Sequence, residues 1–145
     1  MGPNASDRCG LTAFVDIGAD LGSRGLARVR WFQIGLCSLA LAIALGAFGA
    51  HGLESLVRPE RLDTWQVGVR YHAWISLALL ALAVWPGVIA RGAFWCLAVG
   101  MMVFAGSLYL LVLMDVPILG AITPIGGVLI IMGLGWAALS ANVPT

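Results

Sequence analysis

Seven polar side chains are the residues of this chain whose types and positions could support chemistry. They stand out because the sequence around them is almost entirely apolar, and ionisable groups beside hydrocarbon are costly unless they find a partner. This candidate polar cluster consists of His51, Glu54, Arg70, His72, Ser107, Tyr109 and Thr123. Such a set could line a shallow pocket for a lipid headgroup, a quinone-like molecule or another small ligand.

The two histidines allow sharper hypotheses. His51 and His72 bracket one polar connection, so they could supply the two axial ligands of a haem. Together with Glu54 they could hold a metal ion, but the three residues do not follow a fixed ligand spacing. The sequence contains no Ser-His-Asp arrangement, phosphate-binding loop or carboxylate pair, and its three cysteines form no CxxC motif. We therefore expect no catalytic residues, no metal and no cofactor.

The same cluster also has a purely structural interpretation. Arg70 could extend toward water or pair with Glu54, and His51 could cap the end of the first apolar segment. Thr123 could bond backbone carbonyls that are left free by Pro124. In that case the polar residues only hold helices together.

The elements that carry these residues follow from hydropathy. The chain has 145 residues, of which 61% are hydrophobic and 10% charged, whereas soluble domains average about 25% charged residues. A helix of about twenty apolar residues crosses the hydrocarbon core of a bilayer. We therefore predict an all-α integral membrane protein, an antiparallel bundle of four helices. The predicted parts are a flexible tail at 1–30, a membrane domain at 31–141 with spans at about 31–53, 69–90, 93–114 and 118–141, and a stub at 142–145.

This layout predicts where the polar cluster lies. Because successive spans run in opposite directions, all seven residues fall near one membrane face, within roughly 10 Å of it at 1.5 Å per residue. Four tryptophans are expected at the opposite face, where aromatic rings favour the interface. These are Trp31, Trp85, Trp95 and Trp136. The half of the membrane on that side is otherwise apolar, which disfavours a continuous polar path for transport.

Small residues in the first and last spans predict close helix contacts. Ala42, Gly46 and Ala50 recur at four-residue spacing, a pattern that lets another helix backbone approach. In the fourth span we expect Pro124 and the pair Gly126–Gly127 to serve helix packing in the same way.

Charge gives the expected orientation and partners. The net charge is +1 and no dense basic cluster exists, so nucleic acid is not an expected partner. If the N-terminus is inside, the inner side holds four arginines and the outer side three, which favours cytoplasmic termini. The inner arginines are Arg24, Arg28, Arg30 and Arg91; the outer ones are Arg58, Arg61 and Arg70. The expected partners are the lipid bilayer and a membrane protein or a second copy of the chain.

Several of these residues lie in motifs that resemble a known family. The motifs are GAFGAHGL at 46–53, WQ at 65–66, RYH at 70–72, LALL at 77–80, GSLYL at 106–110 and GAITPIGG at 120–127. In this order they are similar to the domain-of-unknown-function 423 family, which includes transmembrane protein 256, over roughly residues 31–141. The resemblance implies a small four-span membrane protein without an established activity or catalytic residue. The location we expect is a bacterial inner or plasma membrane. The chain departs from the family at Ile75, where a histidine is common.

We therefore expect a non-enzymatic structural, interaction or lipid-contact role that uses the candidate polar cluster. A small-molecule binder or transporter with the same residues around its site is the alternative. A redox subunit that carries haem or quinone is a third hypothesis, which depends on the histidine pair.

Overall fold

Four long helices form the part of the protein that the structure describes. This computed structural model describes the backbone of residues 5–142 and the side chains of residue 22 and of 25–142. Its elements are α1 (Ala5–Phe48), a π-helical turn (Gly49–Leu53), α2 (Pro59–Val84), α3 (Arg91–Met114), a 3₁₀ turn (Pro117–Ala121) and α4 (Thr123–Ser140). Four segments are long and apolar enough to cross a membrane, the first being Gly25–Leu53. The predicted all-α, four-span architecture is confirmed.

Two helices begin earlier than the sequence predicts. The backbone of α1 is helical from Ala5, where we expected a flexible tail as far as residue 30. No proline lies between Pro3 and Pro59, so nothing in this stretch removes a helical N–H. α2 begins at Pro59 instead of residue 69, since proline fits the first position of a helix. Residues 59–66, which lie between the first two predicted spans, therefore form the first two turns of α2.

The remaining helix ends follow from prolines and one left-handed residue. α2 ends at Val84 because Trp85 precedes Pro86 and adopts an extended backbone. α3 ends at Met114, where Asp115 has a left-handed backbone with φ of 51° and turns the chain. These short connections make successive helices antiparallel.

Helices that follow one another in sequence pack against each other. The main contacts join α1 to α2, α2 to α3, and α3 to α4. α3 is the most buried helix, whereas α1 and α4 each bury only a narrow stripe. The principal core cluster joins all four helices through Trp31, Ile75, Leu79, Ala83, Phe94, Leu97, Met101 and Ile130.

Hydrogen bonds to backbone groups join three segments at one end of the molecule. Arg28 of α1 donates to the carbonyls of Trp85 and Gly87, and Val88 forms an antiparallel bridge with Asn142. We call this end of the molecule the N-terminal end. It contains the start of the first span, the connection between α2 and α3, and the end of α4. The other end, called the Asp115 end, contains the connection between α1 and α2 and the connection between α3 and α4.

Glycines allow the closest helix contact, which joins α3 and α4. A Cβ added at Gly126 would lie 2.4 Å from the backbone nitrogen of Phe104, and one at Gly100 would lie 2.9 Å from that of Ile130. Of the small residues we expected at this contact, Gly126 is buried there, Gly127 only touches the ring of Phe104, and Pro124 is exposed. The contact therefore needs a glycine at 126 in particular.

The first span uses a different row of small residues from the one we predicted. Ala42 is fully buried and Gly46 faces Val69, but Ala50 is exposed. Gly49 is buried instead, where an added Cβ would lie 2.6 Å from the ring of Trp65. The reason is geometric: four-residue steps drift by about 40° around a helix of 3.6 residues per turn, whereas a seven-residue step nearly returns to the same face.

Candidate functional site

A buried hydrogen-bond network links α1, α2 and α3. The Ser38 hydroxyl lies 2.9 Å from Nε2 of His72, and the Tyr109 hydroxyl lies 3.2 Å from Nδ1 of the same ring. The hydroxyl of Ser76, one turn after His72 on α2, donates to the His72 carbonyl at 2.8 Å and lies 2.8 Å from the Ser38 hydroxyl. Both ring nitrogens of His72 are therefore occupied, and the network orients the ring.

The network lies deeper than the sequence predicted. Ser38 is at the middle of the apolar segment Gly25–Leu53, and its hydroxyl also contacts the sulfur of Met101, near the middle of α3. His72 is thirteen residues after Pro59, about 20 Å along α2, and not at the entry of its span. A polar group at this depth is costly unless it is bonded, which explains why the hydroxyls and the imidazole satisfy one another.

A separate polar contact attaches α4 to α3. The hydroxyls of Ser107 and Thr123 lie 2.8 Å apart, and Ser107 also donates to the carbonyl of Phe104 at 2.9 Å. Thr123 thus bonds a side chain on α3, where we had considered bonds to carbonyls near Pro124. This contact fixes the start of α4 at the Asp115 end of α3.

An indole ring forms the third part of the site. Trp65 is fully buried, and its N–H donates to the carbonyl of Leu45 at 2.9 Å, just before the π-helical turn. Gly49 provides the space for the ring, and Tyr109 packs on it with the ring centroids 4.6 Å apart. The sequence motifs around residues 49, 65, 72 and 109 therefore meet in one region of the protein.

The other three members of the candidate polar cluster do not join this network. His51, Glu54 and Arg70 are all exposed. Among the described ion pairs, none joins Arg70 to Glu54; the acidic partner used at this end is Asp115, which lies 2.6 Å from Arg61 and 3.8 Å from Arg58. The predicted cluster is thus divided into a buried network, a Ser107–Thr123 pair and an exposed rim.

The histidines are not arranged as a pair of axial ligands. His51 is exposed at the end of the first span, whereas His72 is buried with both nitrogens bonded. Within the described residues, no group of three His, Cys, Asp or Glu side chains could hold a metal ion. The geometry therefore gives no support to the haem and metal hypotheses.

Sequence reasoning missed Ser38 and Ser76. Each interrupts an otherwise apolar stretch, and Ser76 lies four residues after His72, which places both on one helix face. That spacing was a usable signal for Ser76. Ile75, where the related family commonly has histidine, belongs to the apolar core.

The fold and the polar interior define a small integral membrane protein with four spans. The chain belongs to the family described as "Protein of unknown function (DUF423)", which matches residues 45–127. The resemblance found in the sequence motifs is thereby confirmed.

The chain is also similar to bacterial proteins that are named for their membrane location. It is 40% identical over 109 residues to the UPF0382 membrane protein SAB0533 of Staphylococcus aureus (strain bovine RF122 / ET3-1), which covers 73% of this chain and 88% of the relative. It is 40% identical over 104 residues to the UPF0382 membrane protein YwdK of Bacillus subtilis (strain 168), a match that covers 68% of this chain and 85% of the relative. These names state no activity. No solved structure matches the chain.

Proposed function

We propose that this protein is a non-enzymatic interaction protein that docks a membrane-protein partner through the outward face of α2. The observation that carries the proposal is the grouping of Arg70, Tyr71 and Trp74 on that face, where all three are exposed. Arginine, tyrosine and tryptophan are the residues that most often dominate binding energy at protein interfaces. We call these three residues the α2 docking surface.

The aromatic members of this surface are held in place by their neighbours. Tyr71 packs against Trp74 in a T-shaped arrangement with centroids 5.2 Å apart, and against Phe104 of α3 at 4.6 Å. Side chains that are already ordered lose less entropy when a partner binds. The packing of Tyr71 and Trp74 therefore supports a surface that binds a protein partner over one that only contacts lipid.

The charge of Arg70 supports a partner of definite chemistry. No acidic side chain among the described residues forms an ion pair with it, and it lies eleven residues after Pro59, about 16 Å along α2. An arginine at such a depth is stabilised by a carboxylate or by backbone carbonyls. We infer that the partner supplies an acidic or carbonyl-rich segment at this level.

The buried network favours binding over catalysis or transport. The hydroxyls and the imidazole of the network bond to one another. The structure has one cavity at the N-terminal end, beside Arg28, and a shallower one bounded by Arg58, Glu60, Arg61 and Thr64, and no residue of the network lines either of them. A group that is satisfied internally has no free position for a substrate. We therefore assign the network to holding the helices that present the docking surface.

We further propose that the protein lies in the bacterial inner membrane with both termini in the cytoplasm. Arg28, Arg30 and Arg91 lie at the N-terminal end, which also carries the end of α4. With Arg24, this end has four arginines beside the spans against three at the other end, and the side with more arginine is favoured as the cytoplasmic one.

Photo-crosslinking in living cells tests the docking surface. A photoreactive residue at Val67, one turn before Tyr71 on the same face, should give one adduct of reproducible mass, and an adduct of twice the chain mass would identify the partner as a second copy. Arg70→Ala combined with Trp74→Ala should remove the adduct, because it removes the two largest contacts. Val84→Ala, which is also exposed on α2, should leave it unchanged. If the adduct survives the double substitution, the proposal is wrong.

A further inference from the structure

A second polar feature lies at the N-terminal end, opposite the candidate polar cluster. There, a cavity of about 310 Å³ opens between the start of the first span, the end of α2 and the start of α3. The side chains that give it its character are Arg28, Arg91, Trp31, Phe94 and Leu82, together with the backbone of residues 86–89. We call this cavity the Arg28 pocket.

Among the side chains that the structure describes, no acidic group forms an ion pair with the arginines of the Arg28 pocket. Arg28 is partly buried and uses one terminal nitrogen, Nη2, for the carbonyls of Trp85 and Gly87, so its guanidinium is anchored at the rim. Arg91 opens α3, which has no side-chain cap at this terminus. The acidic residues whose side chains are described all lie at the Asp115 end; they are Glu54, Glu60, Asp63 and Asp115. The pocket therefore favours an anion.

The other walls of the pocket are apolar, and they lie near the ends of the membrane-spanning segments. Trp31 stacks on Phe94 with the ring centroids 5.2 Å apart, and Trp95 meets Trp31 edge-on at 5.1 Å. Tryptophans of this kind mark the boundary between headgroups and hydrocarbon. Next to the opening, Leu26, Val29 and Val88 are exposed apolar side chains. A ligand that suits both features has an anionic head and a hydrocarbon body.

We propose that the Arg28 pocket binds the phosphate of an anionic phospholipid, with the phosphate between Arg28 and Arg91 and the acyl chains outside along the exposed apolar residues. The volume fits a headgroup, since whole-ligand sites range from about 300 to 1,000 Å³. Basic pockets between membrane helices bind anionic headgroups by the same chemistry. This site is at the other end of the molecule from the α2 docking surface and does not depend on it.

Native mass spectrometry of the purified full chain in detergent tests this assignment. The protein is titrated with phosphatidylglycerol, phosphatidylcholine or glycerol 3-phosphate. We expect phosphatidylglycerol to bind more tightly than the other two, because only it combines a net negative head with acyl chains. Arg28→Gln and Arg91→Gln should each weaken phosphatidylglycerol binding about fivefold, with little effect on phosphatidylcholine.

Arg30→Gln is the matched control, because Arg30 is exposed in the same segment but does not line the pocket. Its affinity for phosphatidylglycerol should equal that of the parent. Arg91→Gln, whose side chain is exposed, keeps the test decisive if Arg28→Gln fails to fold. Equal binding of the two lipids, or an equal loss in Arg30→Gln, would overturn the proposal. Competition by glycerol 3-phosphate at the same concentration as the lipid would assign the pocket to a soluble phosphate compound and overturn the lipid assignment.

Discussion

At the scale of single residues, His72 has the most demanding environment. It is buried in a span, and its two ring nitrogens contact the hydroxyls of Ser38 on α1 and Tyr109 on α3. One histidine therefore connects three helices. A hydrogen bond between membrane helices contributes about 0.6 kcal/mol to stability on average. Because this contribution is small, the network serves to fix the positions of the helices as much as to stabilise the protein.

Removal of the Tyr109 hydroxyl tests this role. Tyr109→Phe should lower the free energy of unfolding by about 0.6 kcal/mol, because Nδ1 of His72 loses its partner while the ring packing against Trp65 remains. Reversible unfolding in mixed micelles measures the change. Tyr71→Phe is the control, since the Tyr71 ring is exposed and forms no described hydrogen bond through its hydroxyl. Equal effects of the two substitutions would contradict a specific role for the network.

At the scale of elements, the antiparallel pair α3 and α4 depends on backbone contact. Gly126 faces the backbone of Phe104, and Gly133 faces Leu97, so α4 lies closer to α3 than side chains would allow. Lipid chains are as apolar as the side chains they replace, and close packing is therefore a main source of attraction between membrane helices. Because α4 packs mainly against α3, this contact largely determines where α4 lies.

A pair of glycine substitutions in α4 separates close contact from helix propensity. Gly126→Ala should destabilise the protein by about 1–3 kcal/mol, because the new methyl group meets backbone atoms that cannot rotate away. Gly135→Ala adds the same methyl group where nothing lies within 4 Å, so its stability should equal or exceed that of the parent. Thermal unfolding in detergent distinguishes the two. A loss confined to Gly135→Ala would refute the packing argument.

At the scale of the whole molecule, the acidic side chains that the structure describes all lie at one end. The Asp115 end holds the four described acidic residues and the ion pairs of Asp115 with Arg58 and Arg61, whereas the N-terminal end holds Arg28, Arg30 and Arg91. An even number of spans places both termini on one side. The proposed orientation rests on the arginines alone, because acidic residues contribute little to it: with Arg24 the N-terminal end has four, and the Asp115 end has three.

Cysteine labelling of intact cells tests the orientation. In a variant without the native cysteines, Ser55→Cys should react with a membrane-impermeant maleimide from outside, since residue 55 is exposed at the Asp115 end. Asn142→Cys, at the N-terminal end, should react only after the membrane is permeabilised. The reverse pattern would contradict the proposed orientation, and labelling of both sites from outside would contradict the fourfold crossing.

The sequence predicted the large-scale features well because they depend on summed hydropathy. Lipid as the surrounding solvent requires apolar stretches of a certain length, so the number of spans and their antiparallel order could be read directly from the sequence. The break between the third and fourth spans, at 115–117, was equally visible, but the second span was predicted to run to residue 90, whereas α2 ends at Val84, before Pro86. Proline at a first helical position and an acidic residue beside it favour a helix start at Pro59, but the charged residues that follow concealed that this helix continues into the second span.

The sequence by itself determined that this chain crosses a membrane four times and that its polar side chains are few and have to be accommodated. Only the tertiary structure decided which of them meet. It joined His72 to Ser38, Ser76 and Tyr109, left Arg70 exposed, and placed Gly49 instead of Ala50 at the contact with Trp65. The reason is that hydropathy is a property of each segment, whereas contacts depend on how each helix is rotated and on its depth relative to its neighbours. Successive residues of a helix are rotated by about 100° around its axis, so neighbouring residues in the sequence face different partners and differ in exposure.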